Sequence, residues 1–370
     1  MKEMKQYTIA EVCSRLSSGK GIPASKVTPT GPYPVIGGNG VRGYTDSFNF
    51  DGECAIIGRQ GANCGNVRYF QGKAYMTEHA IVAIANENAN TKYLACLFSL
   101  MHLGNLSAQS AQPGLSVQTL SKQIVYLPEI SKQNQIANII KALDTKIEIN
   151  KQINDNLELQ AQNIFNHYFI DNPIELGSYS EGVLTDIAVY LNGLAMQKFR
   201  PEGSDFGLPV LKIKELGQRS CDNNSDRCSS LIKEEYIVND GDVIFSWSGT
   251  LLVDLWCGGK CGLNQHLFKV TSDTYPKWFY YFWTKHHLDN FIRVAKDKAV
   301  TMGHIKRTEL EKANIIVPTQ DKLSEINRIM SPIITKIINH RVEMRKLGQL
   351  RDIILPQLMS GELKINEIDC

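Results

Sequence analysis

Nothing in this 370-residue chain approaches the roughly 18 uninterrupted apolar residues that a membrane helix needs, and its start, MKEMKQYTIAEV, lacks the apolar core of a signal peptide. A cytoplasmic protein with no membrane partner is the expectation. A disulfide framework is also missing: the nine cysteines are odd in number and scattered from Cys13 to Cys370. Two spacings, Cys221 with Cys228 and Cys257 with Cys261, invite a structural zinc, but neither is a tight knuckle, and buried thiols are the better reading. A strongly basic balance is lacking too, since the formal net charge is only +2. Residues 1–127 carry 11 basic and 7 acidic side chains, 128–175 carry 4 and 7, 176–318 carry 17 and 17, and 319–370 carry 8 and 7. Any contact with a polyanion must therefore come from local patches, or be shared with partners that bring more charge.

Catalytic motifs are equally scarce. Gly37-Gly38-Asn39-Gly40 lacks the strand-to-helix context and spacing of a dinucleotide fingerprint, and no phosphate loop of the G-x-x-x-x-G-K-[ST] type occurs. The Asn/Asp-Pro-Pro-aromatic tetrapeptide of adenine methyltransferases is absent, and Gly114-Leu115-Ser116-Val117 has no nucleophile-elbow pattern around its serine. No acidic pair with a following lysine stands out as a metal-dependent nuclease site would. The chain is expected to carry no catalytic residue, no metal and no cofactor of its own.

What the chain does have is itself, twice. Ile9-Ala10-Glu11-Val12 matches Leu184-Thr185-Asp186-Ile187, and Pro34-Val35-Ile36 matches Pro209-Val210-Leu211. Asp51-Gly52-Glu53 matches Asp240-Gly241-Asp242, Thr77-Glu78-His79-Ala80 matches Asn264-Gln265-His266-Leu267, and Val125-Tyr126-Leu127-Pro128 matches Ile315-Ile316-Val317-Pro318. Order is kept, and these later landmarks hold offsets of 187 to 190, so the period marks two copies of one module rather than a solenoid. Each copy mixes short β-rich runs with helical stretches and Gly/Asn/Ser turns, which predicts mixed α/β modules with long loops.

A long helical pattern follows each copy. A 4,3 alternation selects Ile136, Ile140, Leu143, Ile147, Asn150, Asn154, Leu157, Ala161 and Ile164, and adding 190 selects Ile326, Met330, Ile333, Ile337, His340, Met344, Leu347, Arg351 and Ile354. These stripes predict two helices packed along a seam, with Asn150 and His340 as register-fixing polar positions; helices docked singly, with those positions facing water, are the alternative. Pro332 predicts a kink or a late start in the second helix. The expected division is a first module over 1–128, a helix over 129–172, a second module over 173–318 and a closing helix over 319–370.

Scaffold landmarks repeat while the loops differ. Arg59, Gln60, Asn63, Asn66 and Arg68 cluster around the first glycine turn, and a polar loop adds Gln109 and Gln112. The second copy offers Ser246, Trp247, Ser248 and Thr250, then Lys296, Lys298, Thr301, His304, Lys306 and Arg307. Arg suits guanine, Asn and Gln suit adenine, and Lys, Ser and Thr suit phosphates, so these are candidate DNA contacts, with ordinary turn chemistry the alternative for many of them. His79 and His266 occupy equivalent places but follow Glu78 and Gln265, a mismatch that argues for packing or DNA contact over acid–base work.

The ordered set resembles the specificity subunit of type I restriction–modification enzymes. The most telling marks are VYLPEISKQNQIANIIKALDTKI at Val125–Ile147, ILPQLMSGEL at Ile354–Leu363, and Thr301-Met302-Gly303-His304-Ile305. The resemblance implies two target recognition domains, each reading one half of a split, asymmetric site on double-stranded DNA, set apart by an antiparallel coiled coil. It also implies partners: two methyltransferase subunits binding S-adenosylmethionine, and restriction (endonuclease and translocase) subunits using ATP and Mg. About 37 residues from Gln133 to Phe169 would make a rod of roughly 55 Å, against roughly 34 to 36 Å for one DNA turn, so helix length would act as a ruler. The rival readings are a piece of a fused restriction–methylation enzyme and a helical scaffold or adaptor that reads no DNA.

Overall fold

The computed structural model describes residues 4–107, 114–297 and 303–365. The chain is mixed α/β and divides into two compact units, 1–145 with 348–370, and 146–347. Each unit contains one module and part of each long helix, Ile130–Asn166 and Gln320–Ser360.

In the first unit six strands form one sheet in the order Cys13–Ser18, Ala80–Ala85, Phe50–Gly58, Val67–Met76, Tyr33–Gly37, Gly40–Thr45. All neighbours are antiparallel except Tyr33–Gly37 beside Val67–Met76. Residues on one face of the sheet, among them Ala55, Ile57, Ile81 and Ala83, pack under the helix Thr91–Leu100, and Ile136, Ile140, Leu358 and Met359 of the long helices close the same core. The Asn90 side chain caps that helix by accepting from Tyr93 N at 2.9 Å, while its own backbone N–H donates to Gln133 Oε1 at 3.0 Å. One cap thus starts a helix and ties the module to the long helix.

The second unit repeats the plan with its sheet split in two. Val189–Asn192, Leu267–Thr271, Val243–Ser246 and Leu252–Leu255 form one four-stranded sheet, and Arg227–Cys228, Leu208–Leu211, Cys261–Leu263 and Ile237–Val238 form another. Its core is far more aromatic: Trp278, Phe279, Phe282 and Trp283 on the helix Lys277–His286 meet Phe165 and Phe169. Trp278 Nε1 donates to Asn327 Oδ1 at 2.9 Å, tying this module to the second long helix.

The repeat persists at the level of single bonds. Lys5–Thr8 pairs with Ile124–Leu127 as Tyr179–Val183 pairs with Asn314–Pro318. Thr8 N donates to Glu11 Oε2 at 2.7 Å and Val183 N to Asp186 Oδ2 at 2.8 Å. Pro34-Val35-Ile36 and Pro209-Val210-Leu211 both lie on strands with a parallel neighbour.

Within each unit the long helices run antiparallel. Asp144 meets Arg351 at 2.9 Å in the first. In the second, Asn150 Nδ2 donates to Glu343 Oε2 at 2.8 Å and Asn154 Oδ1 lies 3.2 Å from His340 Nδ1, so partner numbers fall as residue numbers rise. Leu157, Ile164, Ile326, Met330, Ile333 and Ile337 pack in the second unit's core; Leu143, Ile147, Leu347 and Ile354 are half-buried. Asn150 and His340 face different partners, not one another. The second helix runs without interruption through Pro332, against the late start read from its sequence. Pro332 is exposed and so is Arg328, whose carbonyl the ring leaves without a helical donor, so the missing bond falls where water replaces it.

Candidate nucleic-acid interface

Each module builds one edge from three chain segments, and the same backbone bonds hold both edges. In the first, the strand Phe50–Gly58 exits into Arg59-Gln60-Gly61. Arg59 N donates to His79 O at 3.0 Å, Leu115 N donates to Arg59 O at 2.8 Å, and Gln60 bridges to Gly114. In the second, Val243–Ser246 exits into Trp247-Ser248-Gly249. Trp247 N donates to His266 O at 3.4 Å, Ile305 N donates to Trp247 O at 3.1 Å, and Ser248 bridges to His304. The turns at Thr77–Ala80 and Asn264–Leu267 close alike, through Ala80 N to Thr77 O and Leu267 N to Asn264 O, both 3.0 Å.

The side chains on these edges differ in kind. On the first, His79 lies between Gln60 Oε1 at 3.0 Å from Nδ1 and Glu78 Oε1 at 3.2 Å from Nε2, with 41% of its side chain exposed. Gln60 and Asn66 are exposed, and Arg59 and Asn63 are half-buried, with Arg59 Nη1 3.4 Å from Glu78 O. Arg68 is exposed and donates to Asn39 O at 2.8 Å, its guanidinium filling the space where a Cβ on Gly40 would come within 2.0 Å. The glycine cluster therefore seats an arginine. No nucleotide geometry is needed to account for it.

On the second edge, Trp247 donates from Nε1 to Asn192 Oδ1 at 3.0 Å and packs its ring near His266, Phe268 and His304 at centroid distances of 6.0, 5.8 and 6.4 Å. Ser246, expected among the contacts, is instead fully buried; its hydroxyl lies 2.8 Å from Thr250 O and 3.2 Å from Ser248 O and braces the turn from within. Ser248 is buried as well. Burial behind the turn removes both from the reach of a ligand. Thr250, Lys296, His304, Lys306 and Arg307 are exposed and His266 is half-buried. Gln109, Gln112, Lys298 and Thr301 lie outside the described residues.

Sequence reasoning missed how the second module is fastened. Arg341, 7% exposed, donates to Asp254 Oδ1 at 2.8 Å, Leu255 O at 2.9 Å and Glu158 Oε1 at 2.6 Å, joining both long helices to the strand Leu252–Leu255. Arg219 Nε takes the other Asp254 oxygen at 2.7 Å. The available signal was Asp254 itself, a lone carboxylate in the apolar run Leu251 to Trp256. The thiols also pair across the sequence spacings, since Cys221 hydrogen-bonds Cys261, whose own pKa burial raises. Among the described residues no group of three or more His, Cys, Asp or Glu is placed to hold a metal ion, and no helix is long and apolar enough to cross a membrane.

Residues 1–159 and 181–346 match the family described as the type I restriction modification DNA specificity domain. The chain belongs to this family. It is 37% identical over 147 residues to the specificity subunit of the type I restriction enzyme EcoprrI of Escherichia coli, a match covering 39% of this chain and 36% of that protein. With the MjaIX specificity subunit of Methanocaldococcus jannaschii the identity is 26% over 313 residues, 77% of this chain and 72% of that one. The fold is like that of the type I restriction–modification S subunit from M. genitalium, with a TM-score of 0.67 and 14% identity over 96% of each chain.

Proposed function

We propose that the chain selects the DNA target of a type I restriction–modification assembly and leaves the chemistry to its partners. The observation that carries this reading is the edge built twice: one set of backbone bonds presents Gln60, His79 and Arg68 in one module and Trp247, His266 and His304 in the other. A shared scaffold with unlike side chains suits two half-sites of different sequence. The first half-site falls to Arg59, Gln60, Asn63, Asn66, Arg68 and His79, joined by Gln109 and Gln112. The second falls to Trp247, Thr250, His266 and His304, with Lys296, Lys298, Thr301, Lys306 and Arg307 on phosphates.

In this reading 1–128 and 173–318 are the target recognition domains, and the helical segments 129–172 and 319–370 set the unread spacer and dock two methyltransferase subunits. Restriction subunits join through these, and S-adenosylmethionine, ATP and Mg belong to the partners. The 37-residue helix Ile130–Asn166 would span roughly 55 Å. The test is to map methylated adenines in cells carrying this chain with its methyltransferase, beside a variant with four residues, about one turn, inserted after Asn150. A two-block target with a fixed spacer, lengthened by the insertion with both blocks unchanged, is the expected result. A complex without sequence-selective, salt-sensitive DNA binding would overturn it in favour of an adaptor.

A further inference from the structure

Glu78 stands behind the edge proposed to read the first half-site and reaches it through one side chain. Its Oε1 lies 3.2 Å from His79 Nε2, and His79 Nδ1 lies 3.0 Å from Gln60 Oε1. The other carboxylate oxygen, Oε2, is enclosed and has no hydrogen-bond partner among the described residues, so His79 is what this side chain holds. Backbone bonds place all three residues. Arg59 N donates to His79 O at 3.0 Å, Arg59 Nη1 donates to Glu78 O at 3.4 Å, Ala80 N closes the turn onto Thr77 O at 3.0 Å, and Gln60 bridges to Gly114 on its far side. With the backbone placed, the turn of the Gln60 amide decides what that residue can read.

A carboxamide carries an acceptor at one end and a donor pair at the other, so turning it end for end exchanges the two. Gln60 presents its carbonyl oxygen to His79, and that oxygen can accept only if the ring hydrogen is on Nδ1. The contact across the ring keeps it there. One proton shared between Nε2 and Glu78 Oε1 satisfies both atoms, whichever of them holds it, and leaves Nδ1 a donor. The His79 N–H then takes one lone pair of Gln60 Oε1, and the second faces out beside the Nε2 hydrogens of this exposed side chain. An acceptor next to a donor is the complement of adenine, which offers its N6 amino group and N7 in the major groove. Guanine presents acceptors at both places, and the held carbonyl would repel O6. An amide free to turn could meet that O6 with an N–H instead.

The second module supplies the contrast. Gln265 stands at the place of Glu78, with its Nε2 3.4 Å from His266 Nε2, so an amide there approaches the same ring nitrogen. It orients no neighbour: Ser248, at the place of Gln60, is buried, and His266 Nδ1 has no hydrogen-bond partner among the described residues. The chain of contacts ends on an exposed amide in the first module only. We infer that Glu78 is a positioning residue for base recognition: through His79 it presets the Gln60 amide, so that the first module accepts adenine and rejects guanine at one position of its half-site.

This inference rests on the reading of the chain as a DNA specificity subunit. Its test uses the assembled complex with methyltransferase, in competition binding against target duplexes changed one base pair at a time. Gln60→Ala marks the position that Gln60 reads, and the wild-type complex should prefer adenine to guanine there. Glu78→Leu frees the ring and with it the amide, so that preference should fall about tenfold, while the other positions and the whole second half-site keep theirs. Glu78→Gln, which can donate to His79 Nε2 and hold the ring hydrogen on Nδ1, should keep the preference. Full adenine preference with Glu78→Leu, an equal loss with Glu78→Gln, or a base other than adenine at the marked position overturns the relay and leaves the specificity reading standing. So does a uniform fall across all positions with Glu78→Leu, which would give Glu78 to the fold alone. Absence of selective binding by the wild-type complex removes the specificity reading, and the relay with it.

Discussion

The two modules share a backbone design and differ in where they bury polarity. The first buries a cation but not its carboxylates: Lys92 has a side chain 10% exposed, while the Asp144 carboxylate that joins it to Arg351 is 32% exposed and His79 and Glu78 are both about two-fifths exposed in their pair. The second takes both partners inside. Arg341 and Asp254 have side chains 6% and 7% exposed, Ser246 is sealed behind its turn, and an aromatic cluster fills the space around them. The edge proposed to face DNA does not depend on how the module behind it is fastened, since Arg59 and Trp247 keep the same backbone bonds over unlike interiors.

The contrast is broken most severely at Arg341. Removing one member of a buried ion pair leaves the other desolvated and unpaired, at about 3–5 kcal/mol. Arg341→Ala should lower the unfolding free energy of the second unit by that amount in denaturant titrations, because Asp254 would keep only Arg219, and Leu255 O would lose a donor. Adding Asp254→Asn should recover part of the loss by removing the stranded charge. A loss below about 1 kcal/mol would mean that the network is wetter than its burial implies.

The edges proposed to read DNA offer the next largest effect. A good bidentate side-chain contact is worth about 1–3 kcal/mol of base discrimination. Gln60→Ala should cost that much at a single position of the first half-site, measured by competition binding with single-base variants, and should leave the second half-site unaffected. Loss spread over both halves would contradict independent edges.

Much of this was legible in the sequence because it depends on short, ordered patterns. The repeat could be read from prolines, glycines and Asp-Gly pairs at kept offsets, since these sit at turns and strand starts that both modules need. The 4,3 stripes picked out side chains that are buried or half-buried on both helices, because helical period and burial are the same constraint. What stayed hidden is non-local or a matter of depth. Arg341 finds Asp254 across 87 residues of chain, and no local pattern reports that. Ser246 looks like a turn hydroxyl open to a ligand, and only the fold buries it. Pro332 argued for a kink or a late start, yet the helix already runs from Gln320, because one missing bond on a solvent face is too little to delay a helix whose other face is packed along Met330, Ile333 and Ile337.

Arg351 sharpens the same comparison from the other side. It plays in the first unit the part Arg341 plays in the second, with Nη1 at 2.9 Å from Asp144 Oδ1 and further bonds to Asp352. Its side chain is 35% exposed, and Asp144 keeps Lys92 Nζ at 2.5 Å if the arginine is lost. Water and a surviving partner both lower the cost, so Arg351→Ala should destabilise the first unit by about 1 kcal/mol or less. Salt should shrink that difference further, because partly exposed pairs are screened while enclosed ones are not. Melting both variants at low and high ionic strength tests the point. Arg351→Ala should approach the parent protein as salt rises, and Arg341→Ala should not; equal losses at every salt concentration would mean that the two modules are fastened to their helices in the same way.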